Sequence, residues 1–139
     1  MFKTIVWASD GSEHADRALS LAKKLAQRDK AAVIVAHVVQ RWAKKGGLAA
    51  YPDEEQVEER LKQVVDELGG EGLDASLRIV EHIGLQPAHD IADVAREAGA
   101  DLIVVGTRGH SALPGLMLGS VTQRLLHVSP CPVLAVPSS

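Results

Sequence analysis

Apolar runs of strand length alternate with longer stretches in which apolar residues recur every three to four positions, and the alternation repeats five times along the chain. This pattern predicts parallel strands joined by covering helices. Ile5-Val6-Trp7-Ala8 reads as the first strand, free of polar interruptions as a strand covered on both faces should be. A helix capped by Ser12 follows, with Ala15, Ala18, Leu19, Ala22, Leu25 and Ala26 along one face. Residues 31–39 form the second strand, with His37 near its carboxyl end, and residues 40–52 lack periodicity and read as a loop. Asp53 and Gln56 have the spacing of a capping box. They open a helix that turns Val57, Leu61, Val64, Val65 and Leu68 inward and ends at Gly69-Gly70.

Ala75 to Ile83 alternates Leu77 and Ile79 with Ser76 and Arg78, which predicts a third strand at a sheet edge. Pro87 starts the next helix and Gly99 ends it, with Ile91, Val94, Ala95 and Ala98 inward. Leu102 to Val105 is the fourth strand, a helix runs from about Ser120 to Val128, and Val133 to Val136 is the fifth strand. The expected architecture is one α/β domain over residues 1–139, a Rossmann-like three-layer α/β/α arrangement around a five-stranded parallel sheet.

Charge narrows the choice of partners. Fifteen basic and 18 acidic residues leave a formal charge of -3, which favours neither nucleic acid nor an anionic membrane, and the cluster Arg41 to Lys45 reads as a solvated loop. The single cysteine, Cys131, has no partner for an internal disulfide and fits a reducing cytoplasm. The first residues do not read as a signal peptide, and no apolar run approaches the length of a membrane span. His14, His82, His89 and His127 lack the spacing of a metal site.

The chemistry concentrates in residues 106–120, Gly-Thr-Arg-Gly-His-Ser-Ala-Leu-Pro-Gly-Leu-Met-Leu-Gly-Ser. The lysine of a P-loop is absent, and the glycines do not have dinucleotide-fingerprint spacing. In a parallel sheet, ligands bind beyond the strand carboxyl ends where the winding reverses. Two loops qualify there: Ser9-Asp10-Gly11-Ser12 and Gly106 to Ser120. Gly106 and Gly109 admit a phosphate close to backbone amides, and positive φ angles would let those amides converge on an anion. Gly119-Ser120 opens a helix whose N–H groups and dipole favour phosphate, the hydroxyls of Ser120 and Thr122 can donate, and Arg108 can add charge. The plainer reading is that these glycines serve only as turns and Ser120 only as a cap.

The spacing Gly106-x2-Gly109-x9-Gly119-Ser120 resembles the ATP-binding motif of the universal stress protein family. The resemblance extends to Ile5 through Ser12 with Asp10, to His37-Val38, to Val104 through Gly109, and to Ser129 through Leu134. It implies strand order 3-2-1-4-5 and a nucleotide-dependent regulator of the stress response that binds ATP, with any Mg²⁺ arriving on the nucleotide. Carried over by position, Ala8, Ser9 and Asp10 would hold the adenosine end and the Val38 backbone would read the adenine edge. Gly106, Arg108, Gly109, His110, Gly119, Ser120, Val121 and Thr122 would surround ribose and phosphates. His110 is the one candidate for acid–base work on a γ-phosphate, but no orienting carboxylate is evident and no catalytic residue is assigned. A slow ATP hydrolase and a nucleotide-free dimeric scaffold are the alternatives.

Two departures from the family stand out. Trp7 is bulky for its position and either narrows the adenine pocket or fills core, and Pro114-Gly115 replaces basic or bulky residues in the glycine segment. The resemblance also implies a homodimer, paired through the edge strand Val133, Leu134, Ala135 and Val136.

Overall fold

A computed structural model describes residues 1–9, 16–50, 52–83, 87–107 and 119–137. In chain order the elements are β1 (Thr4–Ala8), α1 (Asp16–Asp29), β2 (Ala32–Lys44), β3 (Gly47–Ala49), α2 (Glu54–Gly70), β4 (Ala75–Ile83), α3 (Ala88–Ala98), β5 (Leu102–Gly106), α4 (Ser120–Val128) and β6 (Val133–Val136). Five strands pair in parallel in the order β4-β2-β1-β5-β6. Counting parallel strands alone, this is the expected 3-2-1-4-5. The chain winds outward from β1 through β2 to β4, then crosses back to β5 and β6. The reversal therefore falls between β1 and β5, and the crevice of a doubly wound sheet opens there.

The two-residue period of each strand sorts side chains between two core layers. Ile5, Trp7, Val33, Val35, Leu102 and Val104 pack with Ala18, Ala22 and Ala26 of α1 and Val57, Leu61 and Leu68 of α2. Val6, Ala8, Ala36, Val38, Ile103 and Val105 pack with Ala88, Ile91, Ala92, Val94 and Ala95 of α3 and Leu125 of α4. β1 has no polar residue between Ile5 and Ala8 because both of its faces are buried. β4 lies at the edge as its alternation predicts, with Ser76 and Arg78 exposed. Ile79, expected inward, is 36% exposed.

Two local readings need correction. Residues 40–50 are not a loop: β2 continues to Lys44 and pairs antiparallel with β3 in the register Trp42 to Ala49, Ala43 to Leu48 and Lys44 to Gly47. The hairpin turns at Lys45-Gly46, where Gly46 takes φ 93°, a conformation that favours glycine. Asp53 flanks α2 but makes no side-chain capping bond. α2 ends at Gly70, as expected, with Glu71 as its C-cap and the left-handed Gly72, at φ 88°, just beyond. Gly99 does end α3 in the left-handed region.

The amino end of the sheet is tied by a carboxylate. Asp101 accepts the backbone N–H groups of Lys3 and Thr4, each at 3.0 Å, and its own N–H donates to the Thr4 carbonyl. Among the described residues, no helix is long and apolar enough to cross a membrane.

Candidate functional site

β1 and β5 run side by side with Ala8 opposite Val105, so Ser9 and Gly106 leave the sheet as neighbours. On the other flank Ala8 pairs with Ala36, and the Ser9 N–H donates to the Ala36 carbonyl at 2.9 Å. This brings Ala8, Ser9 and Gly106 together at the carboxyl ends of β1 and β5, with Val38 on the adjoining strand β2 two residues beyond the partner of Ala8. Gly119 joins them, because its N–H donates to the carbonyl of Thr107, the residue after β5. Asp10, Arg108, Gly109 and His110 lie outside the described residues, as does Pro114.

Among the described residues, no side chain caps the start of α4. Gly119 is its N-cap residue, and a glycine offers no side-chain oxygen to the first-turn N–H groups. Its φ of -70° and ψ of 158° are ordinary extended backbone. Left-handed geometry is thus not what selects glycine at 119, contrary to the expectation of positive φ. What remains is the missing side chain, which leaves the first turn open to a close approach. Ser120 is exposed and Val121 half-buried at that turn.

Thr122 behaves differently from Ser120. It is 3% exposed, and its Oγ1 donates to the Gly106 carbonyl at 2.8 Å. Its one hydroxyl proton is therefore committed inside the protein. The bond fastens α4 to the end of β5 and fixes the distance between Gly106 and the open helix turn.

Trp7 belongs to the layer beneath α1 and α2 and is fully buried there. Ala8 and Val38 face the opposite layer. Of the two readings of Trp7, the structure supports core filling.

The first-loop side of the site contains a pair that the sequence reading missed. His37 is 3% exposed, and its Nδ1 lies 2.8 Å from the Ser9 carbonyl oxygen. Its Nε2 lies 2.9 and 3.0 Å from the two carboxylate oxygens of Glu54, the first residue of α2. Burial raises the Glu54 carboxyl above its ordinary value, and neighbouring Glu58 adds to this, against the opposing pull of His37. The available signal was a lone histidine in an otherwise apolar strand, followed by a helix that opens on Glu54-Glu55. Among the described residues, no group of three or more His, Cys, Asp or Glu could hold a metal ion.

Comparison with known proteins gives this geometry a family context. The Universal stress protein family matches residues 1–137 of the chain. A universal stress protein of Thermus aquaticus, described by its position in the QAH/OAS sulfhydrylase 3' region, is 37% identical over 144 residues, covering 98% of this chain and 99% of that protein. A universal stress protein solved in complex with cAMP superposes with a TM-score of 0.71 at 29% identity, covering 99% of this chain and 98% of the other. One from Archaeoglobus fulgidus in complex with dAMP gives 0.70 at 25% identity, covering 98% of each chain. With the parallel order, the glycine-capped α4 and the match along nearly the whole sequence, the chain belongs to the universal stress protein family.

Proposed function

We propose that the chain binds ATP in the crevice between the end of β1 and the start of α4 and acts as a nucleotide-dependent regulator of the stress response. The observation that carries this reading is the glycine-capped first turn of α4, without a side-chain cap among the described residues, which Thr122 and the Gly119 N–H dock against the end of β5. Unpaired amides and the positive end of the helix dipole favour a phosphate there. The relatives in complex with cAMP and dAMP support an adenine nucleotide as the ligand class.

In this reading Ser120 and Val121 meet phosphate through backbone N–H groups, and the exposed Ser120 hydroxyl can add a donor. Gly106 leaves room beside the phosphates, and Ala8, Ser9, Asp10 and Val38 hold the adenosine end. Thr122 acts by holding the helix in place. Arg108, Gly109 and His110 are assigned to the phosphate side by their place in the motif. Mg²⁺ would enter with the triphosphate and be held mainly by phosphate and water oxygens.

The test has two parts. Freshly purified protein is denatured, and the supernatant is resolved by anion exchange for ATP, ADP or AMP. Calorimetric titrations with ATP, AMP and cAMP then compare the wild type with Gly119→Val. The extended backbone at 119 accepts valine at a helix-capping cost of about 1 kcal/mol, so the fold persists while the side chain occupies phosphate space. Loss of ATP binding is expected, and unchanged affinity refutes the site.

The reading includes a homodimer through β6. The even-numbered carbonyls of this strand turn toward β5, since Pro132 and Val136 accept from Ile103 and Thr107. Val133 and Ala135 therefore point their amides to the open edge. No charged residue lies in β6, whereas the opposite edge carries Arg78 and Glu81. Charges guard an edge that stays unpaired.

A further inference from the structure

The His37–Glu54 contact has a fixed proton requirement. A backbone carbonyl only accepts, so the 2.8 Å contact with Ser9 places a proton on Nδ1 of His37. The contact between Nε2 and the carboxylate needs a second proton, carried either by Nε2 as imidazolium or by Glu54 as carboxylic acid. In both forms the pair is neutral overall and bonded at both ends. Without that proton, a nitrogen lone pair faces a carboxylate and the contact fails.

The pair lies between the site and a helix. One end holds the carbonyl of Ser9, the last described residue before the Asp10 segment, and the other holds the first residue of α2. Glu58 stands beside Glu54 on α2; of the charged groups on the neighbouring elements, Asp16 of α1 pairs with Arg60 of α2, and Arg78 of β4 pairs with Glu97 of α3 on the opposite face of the sheet. On the strand that carries His37, Arg41 pairs with Glu81 of β4, and the Ser9 carbonyl just after β1 faces His37 Nδ1.

We propose that His37 and Glu54 are positioning residues for the nucleotide: one shared proton locks the Ser9 carbonyl at the carboxyl end of β1, so that affinity falls when the proton leaves. This rests on the nucleotide reading above and adds to it a proton-linked regulation of the same site.

The experiment measures ATP affinity with Mg²⁺ from about pH 6 to pH 9, a range bracketing histidine titration, for wild type, Glu54→Gln and Glu54→Ala. Glutamine donates an N–H to a neutral Nε2 and needs no shared proton. The expected result is a wild-type affinity that weakens roughly fivefold or more toward high pH, the lower end of typical coupling between sites. Glu54→Gln keeps near-neutral affinity without that loss, and Glu54→Ala is weak throughout. Because phosphate protonation is common to all three proteins, the wild-type profile is read against that of Glu54→Gln. Nitrogen-15 NMR of the His37 ring gives a readout independent of ATP: Nδ1 stays protonated, and the Nε2 signal changes together with the affinity. ATP binding with coincident profiles for wild type and Glu54→Gln overturns the positioning role alone, as does an unprotonated Nδ1. Absence of ATP binding in the wild type overturns the nucleotide reading and this role with it, while the ring spectrum still reports whether the proton is shared.

Discussion

Thr122→Val tests whether the glycine-capped helix is held by the bond to Gly106. The substitution exchanges a buried hydroxyl for a methyl of nearly the same shape, so packing changes little and the 2.8 Å bond is lost. A hydrogen bond of this kind contributes about 0.5–1.5 kcal/mol net, and a buried carbonyl left short of a partner costs about 1–3 kcal/mol. The added apolar methyl returns up to about 0.8 kcal/mol. A net loss of about 1–2 kcal/mol follows. At about 2.1 cal/mol/K per residue, 139 residues unfold with an entropy near 0.3 kcal/mol/K, which converts that loss to a Tm decrease of about 3–7 °C.

Calorimetric melts provide the assay, on protein stripped of nucleotide by unfolding and refolding, because a bound ligand raises Tm by mass action and would mask the difference. Thr122→Ser keeps the donor and serves as the control. If the chain binds ATP as proposed, Thr122→Val should also weaken that binding in the same preparation, since α4 is no longer fastened at its distance from Gly106. A Tm within about 1 °C of the wild type, a change typical of an inconsequential surface substitution, would refute the assignment of Thr122 as the tie.

Trp7→Phe should change stability by less than about 1 kcal/mol while Trp7→Ala costs about 3–5 kcal/mol. Among the described residues the buried Trp7 Nε1 has no hydrogen-bond partner, so removing that N–H offsets part of the lost packing; urea melts check this, and a Trp7→Phe cost above about 3 kcal/mol contradicts it. Ala135→Pro should give monomers by light scattering with an intact fold, because it removes an outward N–H from β6, and a persistent dimer would place the interface elsewhere. Burial alone would raise the Asp101 carboxyl, but the N–H groups of Thr4 and Lys3 outweigh it and hold the carboxyl below its ordinary value. A depressed carboxyl adds stability above its unfolded value, about 3.9, and loses it as pH falls through the folded value. Asp101→Asn should therefore be less stable than wild type at pH 7, with the gap closing on acidification; a gap that stays constant in acid melts opposes this.

The fold was legible wherever burial imposed a period. β1, β4, β5, α4 and β6 match their sequence patterns closely because each has at least one face against a core layer. The β2–β3 hairpin escaped because residues 43–48 are exposed, so neither face needs to be apolar and no alternation is written. Only Gly46, required by the turn, marks it. The candidate site was half legible. Glycine spacing located the open end of α4, but whether Thr122 faces a ligand or the Gly106 carbonyl depends on how α4 docks on β5, and spacing along the chain does not carry that. The His37–Glu54 pair joins residues 17 apart whose meeting depends on the angle of α2 over the sheet.

The same two-residue period explains why Trp7 is tolerated next to the proposed nucleotide site. Odd positions of β1 and β2 face the α1/α2 layer, and even positions of both strands face the α3/α4 layer. Trp7 thus spends its bulk on the odd side, where Ala18, Ala22 and Ala26 give α1 a face of small side chains. Ala8 and Val38 keep the even side small. His37 falls on the odd side as well, and that is why it reaches Glu54 on α2. A one-residue slip of β1 would exchange these roles, carrying an indole to the face of Ala8 and Val38 and an alanine into the space the indole fills. The pairing of Ala8 with Ala36 on one flank and Val105 on the other holds the register that separates them.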